Sequence, residues 1–540
     1  MSEQLAVIKK LALLSLLTIP FVAGSQVPLA KTHHASPFHH FSEDIRRVAV
    51  IGAGASGLQA AAALIDQGFE VRLFERTPGS GGNWQYSDNE VPIPASYPDG
   101  SKLVNSSYHP DIPPHVPYSR LYRDGDDGLT TSFRLREQHS PSAAWSNMTT
   151  NSPTLIMTLP DVSFPAGHHW NPNNRVIQRL IRQYASAHAL NANDAELSHV
   201  LSYSTRVERL ERSPASGDHH RWTLTLRKMK RLGAPYEDQV RANWWSEEFD
   251  AVVVATGDWD APWIPFIRGV KELYDAFPNS VLHAREYRRP TTFIGKNVLL
   301  IGAYASGIGI ASDLVPFAKS VTISLHYPDL DNSKARFIRS MLSTNVSLVP
   351  EIVAFDVLPT LNGNISPEKH HLSRVELKLV NGTSVSGYDY IIFATGYRRS
   401  NPFLLDLHNS TIQGLAEPET RIAPIITDGT HVRSLHWTGH YIDDPTLGIM
   451  KALPWTIARY QALGFARVWA GKARLPSQER MWATYPGAGK ELKALHGSEE
   501  HAARYFITWL NNEALEFGGA FVEHYPQYVF FSPYMIETMI

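Results

Sequence analysis

Apolar and polar positions along this chain fall into a pattern that occurs twice. Arg47–Ile51 is a short apolar run rich in β-branched residues, the pattern of a buried strand. Gly52-Ala53-Gly54-Ala55-Ser56-Gly57 follows, and then an Ala/Leu-rich stretch predicts a helix that stops at Gly68. Phe69–Phe74 reads as a second strand and delivers Glu75. The same order returns 250 residues later. Lys296–Ile301 is the strand, Gly302–Gly307 the turn, Ser306–Phe317 the helix and Ser320–Leu325 the next strand. Between the two copies, Val176, Leu180, Ile181, Tyr184 and Ala187 mark Asn174–His188 as an amphipathic helix. Val200–Leu226 and Phe249–Val254 alternate as strands do. Asn89–Ser142, rich in Pro, Asp, Ser and Tyr, has no period and predicts long surface or lid structure. The fold class is α/β with two Rossmann-like dinucleotide-binding domains.

Each residue type in the first copy has a task. Gly52 permits the tight turn, Gly54 lets backbone approach a pyrophosphate, and Gly57 lets helix and strand pack closely. The diphosphate sits on unpaired N–H groups at the start of the helix that Ser56 helps to open. Glu75 accepts hydrogen bonds from a ribose diol. The second copy, with Gly302, Ser306 and Gly307, differs in two ways. Counting from its first glycine, Leu325 takes the place of Glu75, flanked by Ser324 and His326, with Lys334 and Arg336 close behind. No carboxylate stands there to repel a 2′-phosphate, which favours NADP over NAD. Tyr304 takes the place of the middle glycine, where a side chain is expected to obstruct the pyrophosphate.

Other stretches leave alternatives open. Gly79–Trp84 suits either a loop lying flat on a planar ring system, with Gly82 and Trp84 as contacts, or a tight loop with a core tryptophan. Thr150-Asn151-Ser152-Pro153 presents an amide to a cleft or simply forms a turn. His33, His34, His39 and His40 lack a partner carboxylate and read as exposed linker, so no metal site is expected. The basic run Arg227–Arg231 reads as a solvated strand end or turn.

At 540 residues, two or three domains are expected. The net charge of −2 gives no reason to expect nucleic acid or an anionic membrane as partner. The absence of cysteine removes disulfides, Cys-ligated metals and thiol chemistry together. Lys9 and Lys10 precede the apolar Leu11–Gly24, and Ala23-Gly24-Ser25 offers a cleavage site, the pattern of a secretory signal peptide. A retained signal anchor in the endoplasmic reticulum is the alternative; after cleavage no membrane span is expected. Asn105, Asn147, Asn345, Asn364, Asn381 and Asn409 lie in N-x-S/T sequons, consistent with a secreted or lumenal glycoprotein.

Taken in order, these motifs resemble the flavin-containing monooxygenases among the class B flavoprotein monooxygenases. Phe277–Tyr287 matches that family's F-x-G-x-x-x-H-x-x-x-Y/F stretch except for Asn279 in place of glycine. Asp389–Tyr397 with Pro402 matches its D-x3-FATGY-x4-P linker. Tyr287-Arg288, instead of Trp followed by Pro or Asp, points away from the Baeyer–Villiger branch. The resemblance implies FAD and NADPH as cofactors, O2 and a small molecule as substrates, and a C4a-hydroperoxyflavin that oxygenates a soft nitrogen or sulfur. It assigns Trp84 to the FAD-lining loop and Asn151 to the amide facing flavin and nicotinamide. Ala255–Gly257 and Ala394–Gly396 become the crossings between domains, and His283 a residue that orients the interdomain segment.

The implied layout is a signal peptide at 1–25, a linker at 26–44, an FAD domain at 45–262 and 391–540, and an NADPH domain inserted at 263–390. Rival readings are a Baeyer–Villiger enzyme, an uncoupled NADPH oxidase and a non-catalytic flavoprotein. Disulfide oxidoreductases share the plan but need a cysteine pair. Monomer and homodimer are both open. The aromatic C-terminus (Tyr525, Tyr528, Phe530, Phe531, Tyr534) is expected to shape the pocket.

Overall fold

The computed structural model describes residues 36–92, 109–154, 157–191, 198–213, 222–327, 330–331, 333–357, 371–411, 424–450, 455–487 and 499–523. The signal segment, the C-terminal aromatics, the sequons at Asn105 and Asn364 and part of the expected lid lie outside them.

Two parallel five-stranded sheets carry the two repeats. The first runs in the order Leu447–Ile449, Ala251–Val254, Arg47–Ile51, Glu70–Phe74, Leu201–Ser202. The second runs Val281–His283, Tyr390–Phe393, Asn297–Ile301, Ser320–Ser324, Val346–Val349. Their registers match. Ile51 lies between Phe74 and Val254, and Ile301 between Ser324 and Phe393, so each glycine turn leaves its sheet beside an Ala-Thr-Gly tripeptide.

Burial on both faces explains the unbroken apolar runs. Val48 and Val50 pack beneath the helix Ala55–Asp66, whose alanines also admit the helix Trp455–Trp469. Ala49 and Ile51 face Trp222, Leu224 and Leu226 of an antiparallel sheet. In the second unit Val298 and Leu300 meet Ile310 and Leu314, whereas Leu299 and Ile301 meet Ile352, Phe355 and Leu377. Each unit therefore has helix on one side of its parallel sheet and antiparallel strands on the other.

Several expectations need correction. The second sheet includes Tyr390–Phe393, so it extends past the boundary at 390. Residues 38–44 are not free linker. Phe38 bridges to Pro476, the His39 amide donates to Leu475 O at 2.9 Å, and Phe41 and Ile45 pack on the first core. The stretch 89–142 contains a strand, Tyr118–Arg123, and a helix, Thr131–His139. Both belong to the antiparallel layer, whose strands pair as Tyr118–Arg123, Gln239–Phe249, Trp222–Arg231 and Thr205–Arg212.

Arg227 is not solvated. It is 2% exposed and shares buried Glu208 with Arg206, both at 2.8 Å, while Glu137 and Asp111 complete the network. Opposite charges and hydrogen bonds let two guanidinium groups stay buried and ionised; they hold the Glu137 carboxyl below its usual range despite burial. No helix among the described residues is long and apolar enough to cross a membrane.

Candidate dinucleotide-binding sites

In the first unit, crowding alone dictates glycine at two positions. Gly52 has φ +105°, and a Cβ there would stand 2.6 Å from Ala255 O. A Cβ on Gly57 would stand 1.9 Å from Gly52 O. The helix begins at Ala55 with Gly54 as its N-cap and no side-chain cap, so its first N–H groups are left for another acceptor. Gly81 N–H donates to Ala53 O at 3.1 Å, which folds the loop Gly79–Trp84 over the turn. Gly82 then lies so near Gly54 that its own Cβ would be 2.9 Å from the Gly54 Cα.

Glu75 is 6% exposed. Its Oε2 accepts from Ala53 N–H at 2.8 Å, and its Oε1 accepts from Thr77 N–H at 2.9 Å and Thr77 Oγ1 at 2.8 Å. The carboxylate thus staples the turn to the end of its neighbouring strand. Oε2, with one donor, retains a further lone pair for a ligand hydroxyl.

These elements wall a cleft of about 990 Å³, at the upper end for a small-molecule site. Its lining brings together Gly52, Gly54, Ser56, Glu75, Gly82, Trp84 and Asn151 from the sequence reading. It also includes Arg76, Trp259, Asp260, Asn401, Met450 and Trp455, which that reading missed. Met450 and Trp455 follow no recognisable spacing; only the long return of the chain brings them here.

Asn151 is exposed within the cleft, next to Thr150, which is 3% exposed. Their segment is fixed from behind. Thr150 N–H donates to Pro172 O at 3.0 Å, and Asn171 Nδ2 donates to Thr150 O at 2.9 Å. Fully buried Asn174 donates through Nδ2 to Trp145 O at 2.8 Å.

The second turn repeats the first. Gly302 has φ +102°, with its Cβ position 2.6 Å from Ala394 O, and a Cβ on Gly307 would be 2.1 Å from Gly302 O. Gly302 N–H donates to Ser324 O at 3.0 Å as Gly52 N–H does to Phe74 O at 2.8 Å. Gly302, Ser306, Gly307 and His326 stand outside the lining of the large cleft. Tyr304 is the helix N-cap with ordinary extended backbone, and its side chain is 85% exposed. Most of the residue therefore faces solvent and is not packed into the turn.

A carboxylate is also present after all. Leu325 is buried, but His326 Nδ1 lies 2.7 Å from Glu351 Oε1, brought in just beyond the adjacent strand Val346–Val349. Counting along one strand cannot see a group that arrives from the next.

The crossings are tied together by the segment Phe277–Tyr287. His283 is fully buried; its Nδ1 accepts from Arg285 N–H at 3.1 Å, so Nε2 carries the proton and donates to Gly396 O at 3.0 Å. Burial pushes its pKa down to about 3, which keeps the ring neutral. Asp260 Oδ1 accepts from Arg76 at 2.9 Å and from buried Arg285 at 3.1 Å, linking the first nucleotide strand to this segment. Just before it, burial raises the Asp258 pKa, opposed by Arg399 at 3.0 Å. Tyr397 and Arg398 pair with Pro262 and Ala261, so the two crossings form one small sheet.

Comparison with known proteins now bears on what fills these turns. A model of the "NAD(P)-binding Rossmann-like domain" family matches residues 50–112, and one of the "Flavin-binding monooxygenase-like" family matches residues 123–328. A "Pyridine nucleotide-disulphide oxidoreductase" model matches residues 241–422, a likeness of fold in a chain without cysteine. The flavin-containing monooxygenase iboF of Amanita muscaria is 35% identical over 93% of this chain and 96% of its own length. The chain belongs to the flavin-containing monooxygenases.

A second family member, ustF2 of Aspergillus flavus, is 30% identical over 86% of this chain and 92% of its own. Among solved structures, the S-allyl-L-cysteine S-oxygenase of Allium sativum shares the fold with a TM-score of 0.56, at 21% identity, over 89% of this chain and 90% of that one. The cofactors of this monooxygenase are FAD and NADPH. The residues fit such groups: two turns, each with two glycines too crowded for a Cβ and each opening a helix with no side-chain cap, can cradle diphosphates.

Proposed function

We propose that this monooxygenase transfers one oxygen atom of O2 to a soft nitrogen or sulfur of a small molecule, with NADPH as electron donor and the second oxygen leaving as water. The observation that carries the reading is the pairing of two equivalent glycine turns in a chain with no thiol, one of them roofed inside a cleft where Asn151 is exposed. The flavin, when bound, supplies hydride acceptance and oxygen activation.

What remains for the protein is binding, orientation and exclusion of water. The N–H groups after Gly54 hold the FAD diphosphate, and Glu75 takes the ribose. Trp84, Met450 and Trp455 wall off the ring system, because water at the reacting oxygen favours loss of H2O2 over transfer. Asn151 offers an amide donor to the reacting oxygen. The second turn holds the NADPH diphosphate, with His326 at the strand end beside its ribose.

Two findings support nitrogen or sulfur over carbon. The chain has Tyr287-Arg288 at the end of the diagnostic stretch. A relative from Tyria jacobaeae, 26% identical over 81% of this chain and 74% of its own, is named senecionine N-oxygenase. The test is NADPH consumption by FAD-loaded protein against amines, thioethers and ketones, with H2O2 measured in parallel. Amine- or thioether-dependent consumption with product matching NADPH supports the reading. Consumption only with ketones, or H2O2 equal to NADPH with every compound, contradicts it.

Passage through the secretory lumen is proposed as well, supported by the exposure of Asn345, Asn381 and Asn409 in their sequons. A mass shift on enzymatic deglycosylation is the expected result, and none contradicts it.

A further inference from the structure

The helix Ala305–Leu314 begins at the second glycine turn, and one of its faces meets the segment that leads to Asn151. Two residues four apart make the contact. At Gly309 a Cβ would come within 3.0 Å of Trp145 Cζ2, so the indole is seated against helix backbone. One turn later, Asp313 Oδ1 accepts from Asn147 Nδ2 at 2.9 Å and Oδ2 accepts from the Tyr287 hydroxyl at 2.8 Å. Tyr287 is 1% exposed, ends the diagnostic stretch and meets the Trp145 ring edge-on at 6.1 Å. Arg288 holds the same segment from its other side: Nη1 donates to Ala144 O at 2.8 Å, and its carbonyl accepts from Ser146 N–H at 2.8 Å. Asn147 is four residues before Asn151.

We propose that Asp313 is a positioning residue whose carboxylate, shared between Asn147 and Tyr287, fixes the segment bearing Asn151 against the helix bearing the NADPH turn. The buried Tyr287 hydroxyl needs an acceptor, and a carboxylate offers one oxygen to it and the other to Asn147. An amide at this place offers one acceptor and turns an N–H toward the other donor. The consequence is mechanical: the NADPH turn and the Asn151 amide move as one body, so the dinucleotide and the reacting oxygen keep their relation when the second unit shifts. The proposal rests on the roles given above to Asn151 and the second turn.

Its test compares FAD-loaded wild type, Asp313→Asn and Asn147→Ala. Hydrogen exchange is read over residues 143–151, together with the flavin spectral change on adding NADP⁺ and the rate of flavin reduction at saturating NADPH. Asp313→Asn is expected to keep its flavin, exchange about tenfold faster over 143–151, blunt the NADP⁺ spectral change and slow reduction about tenfold, with little change in NADPH affinity. Asn147→Ala, at an exposed position, is expected to show the same changes at smaller size. Wild-type exchange and wild-type reduction in Asp313→Asn overturn the proposal. Should Asp313→Asn fail to fold, Asn147→Ala decides: faster exchange supports the clamp and wild-type exchange overturns it. If the wild type itself is not reduced by NADPH, the functional reading fails, while the exchange data still decide whether the clamp exists.

Discussion

In the first nucleotide unit the glycine turn is roofed. Gly82 lies against Gly54, Gly81 is bonded to Ala53, and the Glu75 carboxylate closes the end of the strand. In the second unit the same strand, turn and helix recur with the same two crowded glycines. There Tyr304 stands in the place of Gly54 and projects into solvent, and the strand end presents His326 and Glu351. Crowding beneath the turn is thus common to both, and among the described residues cover above it is not. A roofed turn inside a walled cleft suits a group retained through many turnovers. An open turn suits one that enters and leaves in each cycle. We read the difference as that between FAD as a resident group and NADPH as a co-substrate.

The sharpest way to break this division is to crowd each turn in turn. In Gly57→Ala the new Cβ would meet the Gly52 carbonyl, and purified protein is expected to lose nearly all absorbance at 450 nm. Gly307→Ala imposes the equivalent clash in the second unit. It is expected to leave the flavin in place and weaken NADPH binding about fivefold or more, as overpacking of about 1–3 kcal/mol requires. Loss of flavin from both variants would show that the units are not separable.

Glu75→Gln comes next. The amide provides one acceptor where Ala53 N–H and Thr77 N–H now use two oxygens. Losing a hydrogen bond to a charged group costs about 1.5–3 kcal/mol, so FAD affinity in reconstitution titrations is expected to fall roughly tenfold to a hundredfold.

Acid distinguishes the crossings. His283 is held neutral by burial, with its pKa lowered from 6.5 to about 3. Its contribution is complete above pH 6.5 and is lost as pH falls from there toward 3, because the unfolded chain takes up the proton first. The slope from this one site approaches about 1.4 kcal/mol per pH unit. Urea midpoints measured from pH 7 to pH 4 should therefore fall less steeply for His283→Gln than for wild type, whatever its absolute stability. Equal slopes would show that His283 is not kept neutral.

The smallest effect is predicted for the most conspicuous departure. Because the Tyr304 ring is in solvent, Tyr304→Gly should change NADPH affinity by about 0.5 kcal/mol or less, roughly twofold. Tightening of tenfold would mean that the ring does obstruct the turn.

Both strand–turn–helix repeats are legible in the sequence because everything they need is local: an apolar run, crowded glycines and a helix within thirty residues. The large cleft is legible wherever a motif names its residue, from Gly52 through Asn151. What escapes is whatever arrives from far along the chain. Glu351 joins His326 from a neighbouring strand, and Asp260 reaches Arg76 across 184 positions. Arg227 looks like surface charge until Glu208 and Glu137 are folded against it. The strand Gln239–Phe249 does alternate, with Val240, Ala242 and Trp244 inward, but its polar half masks a pattern that only pairing with Trp222–Arg231 makes plain.

The central claim is that one chain holds FAD in the roofed turn and admits NADPH to the open one. Anaerobic titration of the purified, FAD-incubated protein with NADPH, followed at 450 nm, tests it most directly. The account predicts a yellow protein with one flavin per chain that bleaches on adding NADPH. A protein that stays colourless after incubation with FAD, or a bound flavin that NADPH leaves oxidised, would contradict it.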